Sequence, residues 1–392
     1  MATRKTLLLT ASTVLMFVTI TAISSVSVAA PMNQNSSQGN SGYQFMPWAC
    51  QFCGSQMNYT KMIEEHHNLF TDLSYEQYYL ATNGTFQNLG VPNLIGMANQ
   101  YHLAAYPMII SADPAAMHLL FTKSTVQSAF ISTAVQAAVN EGYAGYNIDF
   151  EVPDYSDSAN VTAFVSHFSN ALLAAGKQLT LDVIGFHGYS PQAYGSAYNY
   201  SALSNTSVSL IVVEDYYAAS DFMQAVNYSV AHVAKDKLMI ALPDYGYEFI
   251  VNATSTQPFP NNLIPPYVDY SYSGMYGVAK NTATQARAAG ANVTLHYSNF
   301  YAESYYEIVY PSNKNVGYEY YYVGHKGMEF RLNYLESLGI HKAALWRAGS
   351  TDPGMWSAVH QYKEESTLPG SELGFFHLTL FSDAIRFIFH IF

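Results

Sequence analysis

Gly145-Tyr146-Asn147-Ile148-Asp149-Phe150-Glu151 alternates polar and apolar side chains with a period of two. Tyr, Ile and Phe favour a pleated, extended backbone, and residues two apart in a strand share a face. Asn147, Asp149 and Glu151 therefore point one way, and Tyr146, Ile148 and Phe150 the other. A solvated strand face is one explanation. A barrel strand explains the series of Asn, Asp and Glu between Ile and Phe better, because its polar side feeds a site at the strand's C-terminal end.

The flanking sequence repeats the alternation of strand and helix. Strands are expected at Tyr43–Trp48, Asn68–Tyr79, Leu103–Ser111, Gln178–Phe186, Val208–Tyr217, Leu238–Tyr247 and Ala343–Trp346, besides the opening stretch. Helical spacing marks Val91–Tyr101, Ser124–Asn140, Asp157–Ala175, Phe222–Val233 and Lys326–Leu338. Residues 255–325 are more irregular, with a helix near Val278–Ala289 and Tyr-rich strands such as Tyr318–Val323. Eight strands separated by helices predict an α/β chain folded as a (β/α)8 TIM barrel, with a small irregular insertion between strands 7 and 8. An open doubly wound sheet is the competing fold. It would want a glycine-rich phosphate turn after the first strand, and Gly54 alone does not make one.

Composition narrows the setting. Charged residues make up 11% of the 392 residues, against ~25% in ordinary soluble domains. There are 34 tyrosines and only 16 Lys plus Arg, and the net charge is −12. Nucleic acid and anionic membrane surfaces are poor partners for such a chain. A surface polarised by Tyr, Ser, Thr and Asn suits a strongly acidic medium, in which carboxylates lose their charge. The basic start Met1-Ala2-Thr3-Arg4-Lys5, the apolar run from Thr6 to Val28 and Ala29-Ala30-Pro31 read as a signal peptide over residues 1–30. A retained anchor helix is the other reading, and both place the globular part extracellularly. Asn-X-Ser/Thr sites at Asn35, Asn58, Asn83, Asn160, Asn199, Asn205, Asn227, Asn252 and Asn292 agree with export.

Residues 31–42 read as a flexible linker, 43–358 as the barrel and 359–392 as a C-terminal tail. Any membrane contact is expected at the termini, and the chain is read as a monomer. The lone Cys50-X-X-Cys53 is expected as a short-loop disulfide in an exported protein, with free thiols or a metal site as the alternatives. No histidine pair has metal spacing on a credible helix, so neither a metal nor another cofactor is expected.

Polar and aromatic residues fall at the C-terminal ends of the expected strands: Asp149, Glu151, Glu214, Tyr216, Tyr245, Tyr247 and Trp346. Carboxylates above a floor of aromatic rings suit a sugar. Ala144-Gly145-Tyr146-Asn147-Ile148-Asp149-Phe150-Glu151 resembles the Asp-Gly-X-Asp-X-Asp-X-Glu signature on the fourth barrel strand of the family 18 glycoside hydrolases. The form Asn-Ile-Asp-Phe-Glu is most similar to the branch holding di-N-acetylchitobiase and the spore-cortex-lytic N-acetylglucosaminidases. Lys237–Tyr247 and Leu345–Pro353 resemble that branch's seventh and eighth strands, so the resemblance spans roughly residues 43–358.

The resemblance implies a secreted enzyme that cleaves β-linked N-acetylglucosamine glycans with retention and without an enzymic nucleophile. It implies that Glu151 is general acid and base, and that Asp149 orients the substrate's acetamido group, whose oxygen attacks the anomeric carbon. It implies that Tyr216 bonds the acetamido carbonyl and Trp346 floors the sugar, with Asn147, Glu214, Tyr245 and Tyr247 among the substrate-binding residues. The strand places Asp149 and Glu151 about 7 Å apart. Such a pair titrates together, and the sequence reading puts the retained proton on Glu151.

The chain also departs from the signature. Ala144 stands at its first Asp, which removes a structural hydrogen bond at the strand's base. Asn147 stands at its second Asp, leaving no third carboxylate to share a proton with Asp149. Glu214-Asp215-Tyr216-Tyr217 answers to the family's Met-X-Tyr-Asp, so Glu214 replaces an apolar lining residue and Tyr217 an Asp, unless the register is misplaced by a residue or two. Ile110-Ser111-Ala112-Asp113 lacks the Ser-X-Gly-Gly of true chitinases. The competing functional class is a non-catalytic sugar-binding protein on the same barrel, and the next is a structural surface protein. Tyr301–Tyr322 is read as a wall of the sugar groove or as plain surface strand. His187 is a substrate contact or structural, and Ser371–Phe392 an interfacial helix or a segment foreign to the barrel.

Overall fold

Eight parallel strands close on themselves, each with one face against an outer ring of helices. The computed structural model describes residues 42–52, 58–186, 196–216, 218–257, 259–265, 272–273, 275–349 and 351–367. The signal segment 1–30, the linker to residue 41, the Cys50–Cys53 pairing, His187, Tyr217 and the tail from Ser371 lie outside the described residues.

The strands are β1 (Gln44–Ala49), β2 (Asp72–Leu80), β3 (Ala104–Ser111), β4 (Gly145–Phe150), β5 (Gln178–Ile184), β6 (Leu210–Glu214), β7 (Leu238–Pro243) and β8 (Lys342–Trp346). They pair in order, and β1 pairs with both β8 and β2, which closes the barrel. The chain is a (β/α)8 TIM barrel.

Each strand's two faces follow the alternation. Tyr146, Ile148 and Phe150 of β4 join the core between strands and helices with Phe130, Phe164 and Phe168. The inner face stacks Met46, Trp48, Tyr106, Met108, Val212, Met239, Ala241 and Ala344. Register carries the inner positions around the sheet, since Met108 pairs Asn147 and Asn147 pairs Thr180. Gly145 sits where β4 and β5 come closest, and a Cβ there would lie 1.9 Å from the Gln178 carbonyl oxygen. At the strand's base, where the signature's first Asp would stand, Ala144 packs against the inner cluster and keeps its backbone bond to Ala105.

Several boundaries differ from expectation for local reasons. The second strand starts only at Asp72, because Asn58 caps a helix over Tyr59–His66 by accepting the Lys61 N–H at 3.0 Å. A helix over Pro114–Thr122 follows β3, signalled by Asp113 at its N-cap and proline at its first turn. β7 stops at Pro243, and Tyr245-Gly246 turns to pair with Tyr272-Ser273. The final helix, Met355–Thr367, runs through residue 358, and Tyr362 on it donates to the Ile340 carbonyl just before β8.

The segment between β7 and β8 is not irregular. It forms an antiparallel sheet ordered Glu248–Asn252, Val316–Tyr322, Glu303–Val309 and Asn292–Ser298, flanked by a helix over Met275–Ala288. Its tyrosines pair across strands, as Tyr305 on Tyr321 at 4.5 Å between centroids. Aromatic cross-strand pairs stabilise a sheet, and here they carry the Tyr-rich strands into a regular one. Buried Arg331, on the helix His325–Ser337, ties this sheet to the barrel. It donates to the carbonyls of Tyr301, Ala302 and Gly327 and meets Glu303 at 3.5 Å.

Burial pushes the Glu303 carboxyl up to about 8 against the pull of Arg331, so it holds a proton at pH 6. Arg331→Met, which removes the donor to the Tyr301 and Ala302 carbonyls, is expected to cost about 3–5 kcal/mol. Glu303→Gln at pH 6 is expected to cost less than about 1 kcal/mol. Urea unfolding of both variants tests this, and equal losses would reject the assignment of the tie to the carbonyl contacts.

Candidate active site at the mouth of the barrel

The C-terminal ends of the strands open into two adjoining clefts. One, of about 270 Å³, is lined by Glu76, Ile110, Ser111, Ala112, Asp149, Glu151, Glu214, Tyr216 and Trp346. The other, of about 450 Å³, shares Asp149, Glu151, Glu214 and Tyr216 and adds Asp182, Ser196 and Tyr198. Asp149 and Glu214 stand between them.

β4 delivers its polar residues at three depths. Asn147 is deepest and has no exposed surface. Its amide oxygen accepts from Trp48 Nε1 at 2.8 Å and Ser74 Oγ at 2.9 Å, and its Nδ2 donates to Asp182 Oδ1 at 2.7 Å. Expected among the substrate-binding residues, Asn147 instead has its amide committed to three partners below the cleft floor. Asp149 is partly covered and Glu151 is exposed. The Glu151 N–H continues the ladder to the Ser111 carbonyl at 2.8 Å, and Tyr198 fixes the Phe150 carbonyl at 2.5 Å. The next residue, Val152, takes a left-handed φ of 47°. A β-branched residue seldom adopts that conformation, and such strain clusters at functional sites.

Asp149, Asp182 and Glu214 converge until one oxygen of each lies within 4.8 Å of the others. This corrects the expectation that no third carboxylate is available to Asp149. Asn147 has lost the carboxylate on β4, and Asp182 on β5 and Glu214 on β6 provide two. Burial pushes the Asp149 carboxyl up to about 7, helped by the negative charges of Glu151 and Glu76. Burial and the other members of the trio also hold Asp182 and Glu214 well above the usual carboxylate range. Asp149, the more covered member of the β4 pair, therefore has its affinity for protons raised together with its neighbours. Among the described residues, this trio is also the group of acids close enough to share a cation.

The remaining expected residues divide. Glu214 lines the cleft and accepts the Tyr216 O–H at 3.1 Å. Trp346 lies at the cleft edge, against Trp48 at 5.8 Å and an interplanar angle of 68°. Tyr245 meets the Tyr216 ring edge-on at 5.6 Å, and Tyr247 donates to the Tyr216 carbonyl at 3.3 Å. Both brace Tyr216 from behind and line neither cleft. Asp182, Glu76, Ser74, Trp48 and Tyr198 were not singled out from sequence. Asp182 carried a usable signal, since Thr180 and Asp182 alternate with Leu179, Leu181 and Val183 as the residues of β4 do.

No family model matches the chain. A curated relative, YdhD of Bacillus subtilis (strain 168), a sporulation-specific glycosylase by name, is 21% identical over 215 residues, 49% of each chain. The chain thus spans about half the length of the curated relative it matches. Among solved structures, the spore cortex-lytic enzyme SleL of Bacillus megaterium QM B1551 aligns with a TM-score of 0.68 at 14% identity, over 82% of this chain and 74% of that one. A chitinase from Chromobacterium violaceum ATCC 12472 aligns at 0.66 and 16% identity, over 82% and 98%. A class V chitinase from Pseudomonas fluorescens Pf-5 aligns at 0.65 and 18%, over 82% and 99%. These likenesses establish the barrel fold.

A carboxyl group whose affinity for protons is raised by folding binds more protons in the native state than in the unfolded chain. Asp72 at about 6, Asp149 and Glu319 at about 7 and Glu303 at about 8 all stand above ordinary values near 4. Their contribution is complete below pH 4 and is lost as the pH climbs through 6 to 8. The thermal midpoint is therefore expected to be higher at pH 5 than at pH 8. A midpoint that rises across that interval would contradict the protonated state of these groups.

Proposed function

We propose that the chain is a secreted glycoside hydrolase that cleaves β-linked N-acetylglucosamine glycans by substrate-assisted, retaining hydrolysis. The observation that carries this reading is an exposed Glu151 two residues beyond a partly covered Asp149, on one cleft with the indole of Trp346. The fold likeness to chitinases and cortex-lytic enzymes supports it, as does the resemblance of the β4 sequence to family 18. Exposed Asn58, Asn83, Asn199, Asn205, Asn227, Asn252 and Asn292 leave room for surface glycans on an exported chain.

In the first step Glu151 gives its proton to the glycosidic oxygen as the bond to the anomeric carbon breaks. The substrate's acetamido oxygen forms the new bond to that carbon, giving an oxazolinium ion. Asp149 accepts the acetamido N–H, which aims the oxygen and offsets the positive charge on the ring. Tyr216 lies across the cleft to bond the acetamido carbonyl. Its hydroxyl points to Glu214 in the empty site and must turn from it when sugar arrives. Water then attacks the anomeric carbon, Glu151 takes its proton, and the acetamido group is released unchanged. Trp346 offers its ring to the apolar face of the sugar, as indole–sugar stacking requires.

Glu151→Gln removes the transferable proton and keeps the shape. Hydrolysis of a chromogenic chitotrioside is expected to fall by roughly 10²–10⁴-fold, with chito-oligosaccharide binding retained. Unchanged turnover would discard the mechanism. Binding without turnover in the unaltered chain would instead favour a non-catalytic sugar-binding protein.

A further inference from the structure

Charge is divided along the axis of this barrel. Glu76, Asp149, Glu151, Asp182 and Glu214 line the two clefts, and among the described lining residues there is no Lys, Arg or His. The segments 53–57, 187–195 and 266–271 contain no Lys or Arg either. Lys177 and Lys237 immediately precede β5 and β7, and Lys342 opens β8, which puts all three at the end of the barrel opposite the clefts. Each is tied to backbone carbonyls there. Lys177 donates to Tyr143 at 2.6 Å, Lys237 to Ser204 at 2.9 Å and Thr206 at 2.6 Å, and Lys342 to Asp236. Arg347 follows Trp346 at the cleft end and is engaged. Its guanidinium lies 5.6 Å from the centre of the Trp346 ring, and its charge is met by those of Glu76 and Asp244.

Glu76 is the acid of the smaller cleft to which the hydrolytic scheme gives no work. It stands on the inner face of β2, two residues beyond Ser74, and pairs with Met108 of β3. There it lines the cleft with Asp149, Glu151 and Trp346. Burial raises its affinity for protons, while Arg347 and the backbone N–H groups of Gln51 and Phe52 pull the other way. A sugar resting on Trp346 thus has acids on both sides. Sugar hydroxyls can donate to them, but a carboxylate on the sugar finds no cation and is repelled.

We propose that the cleft takes N-acetylglucosamine glycans whose sugars carry no free carboxylate, with Glu76 as the specificity-determining residue that turns carboxylate-bearing sugars away. This deepens the hydrolytic reading of the site and rests on it for the glycan. The repulsion grows with pH. Asp149, held at about 7, and Asp182, Glu214 and Glu76, all raised, lose protons as the pH climbs. Tyr198 and Tyr216 stay neutral. The sugar's own carboxylate, ordinarily titrating at about 4, is ionised from pH 5 to pH 8.

Calorimetry on Glu151→Gln, in which turnover is suppressed, tests this with three probes. They are tetra-N-acetylchitotetraose, the alternating tetrasaccharide of N-acetylglucosamine and N-acetylmuramic acid, and that tetrasaccharide with its lactyl carboxyls converted to amides. At pH 8 the amide form is expected to bind at least about tenfold more tightly than the carboxylate form. The gap is expected to shrink at pH 5, in high salt, and when Glu76→Gln is added. Equal affinities for the two forms, with chitotetraose bound, overturn the proposal and leave the hydrolytic reading standing. A gap that neither pH nor salt moves is one of shape, and it overturns the proposal as well. A gap moved by both but untouched by Glu76→Gln overturns the assignment to Glu76. Failure of all three probes to bind rejects the glycan reading itself, and this proposal with it.

Discussion

Acid groups have been drawn into this barrel with few cations near them, Lys342 beside Asp72 being one, and much of the inner structure follows from that constraint. Asp72, Asp149, Asp182 and Glu214 all face the barrel interior or its mouth. Thr71 donates to the first, Asn147 to the third and Tyr216 to the fourth. Ionising such a set together is prohibitive in a medium poorer than water. Burial therefore raises the affinity of all four for protons, in a chain with few bases.

The barrel was legible because parallel strands covered on both sides are written as continuous apolar runs, and the active strand as a strict alternation. Ala104–Ser111 and Gly145–Phe150 needed nothing beyond period and residue type. The insertion was not legible by the same means. A sheet packed largely on tyrosines writes only a weak apolar pattern, with Phe249 and Val251 beside Tyr321 in its small core. The Pro114–Thr122 helix was announced by Asp113 and Pro114, a capping signal weaker than the apolar run before it.

Within the site, Glu151, Asp149, Tyr216, Glu214 and Trp346 could be read from strand ends, since each needs only its own strand to place it. Asn147 and Asp182 could not be read correctly in isolation. Their roles depend on a contact across two strands, and sequence shows the carboxylate missing at position 147 but not its replacement 35 residues later. The raised proton affinity of Asp149 escaped the sequence for a related reason. Spacing gives the repulsion between two carboxylates, and depth decides which of them yields.

Asn147 also separates the framework from the chemistry. One amide joins Trp48 of β1, Ser74 of β2 and Asp182 of β5 to β4. A carboxylate at the same place would accept from Trp48 and Ser74 in one protonation state and rearrange in the other. An amide has one state across the whole range of acidity in which proteins survive. The acids above it are free to gain and lose protons while the strands that carry them keep a fixed separation. The buried amide that joins these strands does not titrate, and that leaves the sensing of acidity to the residues that use it.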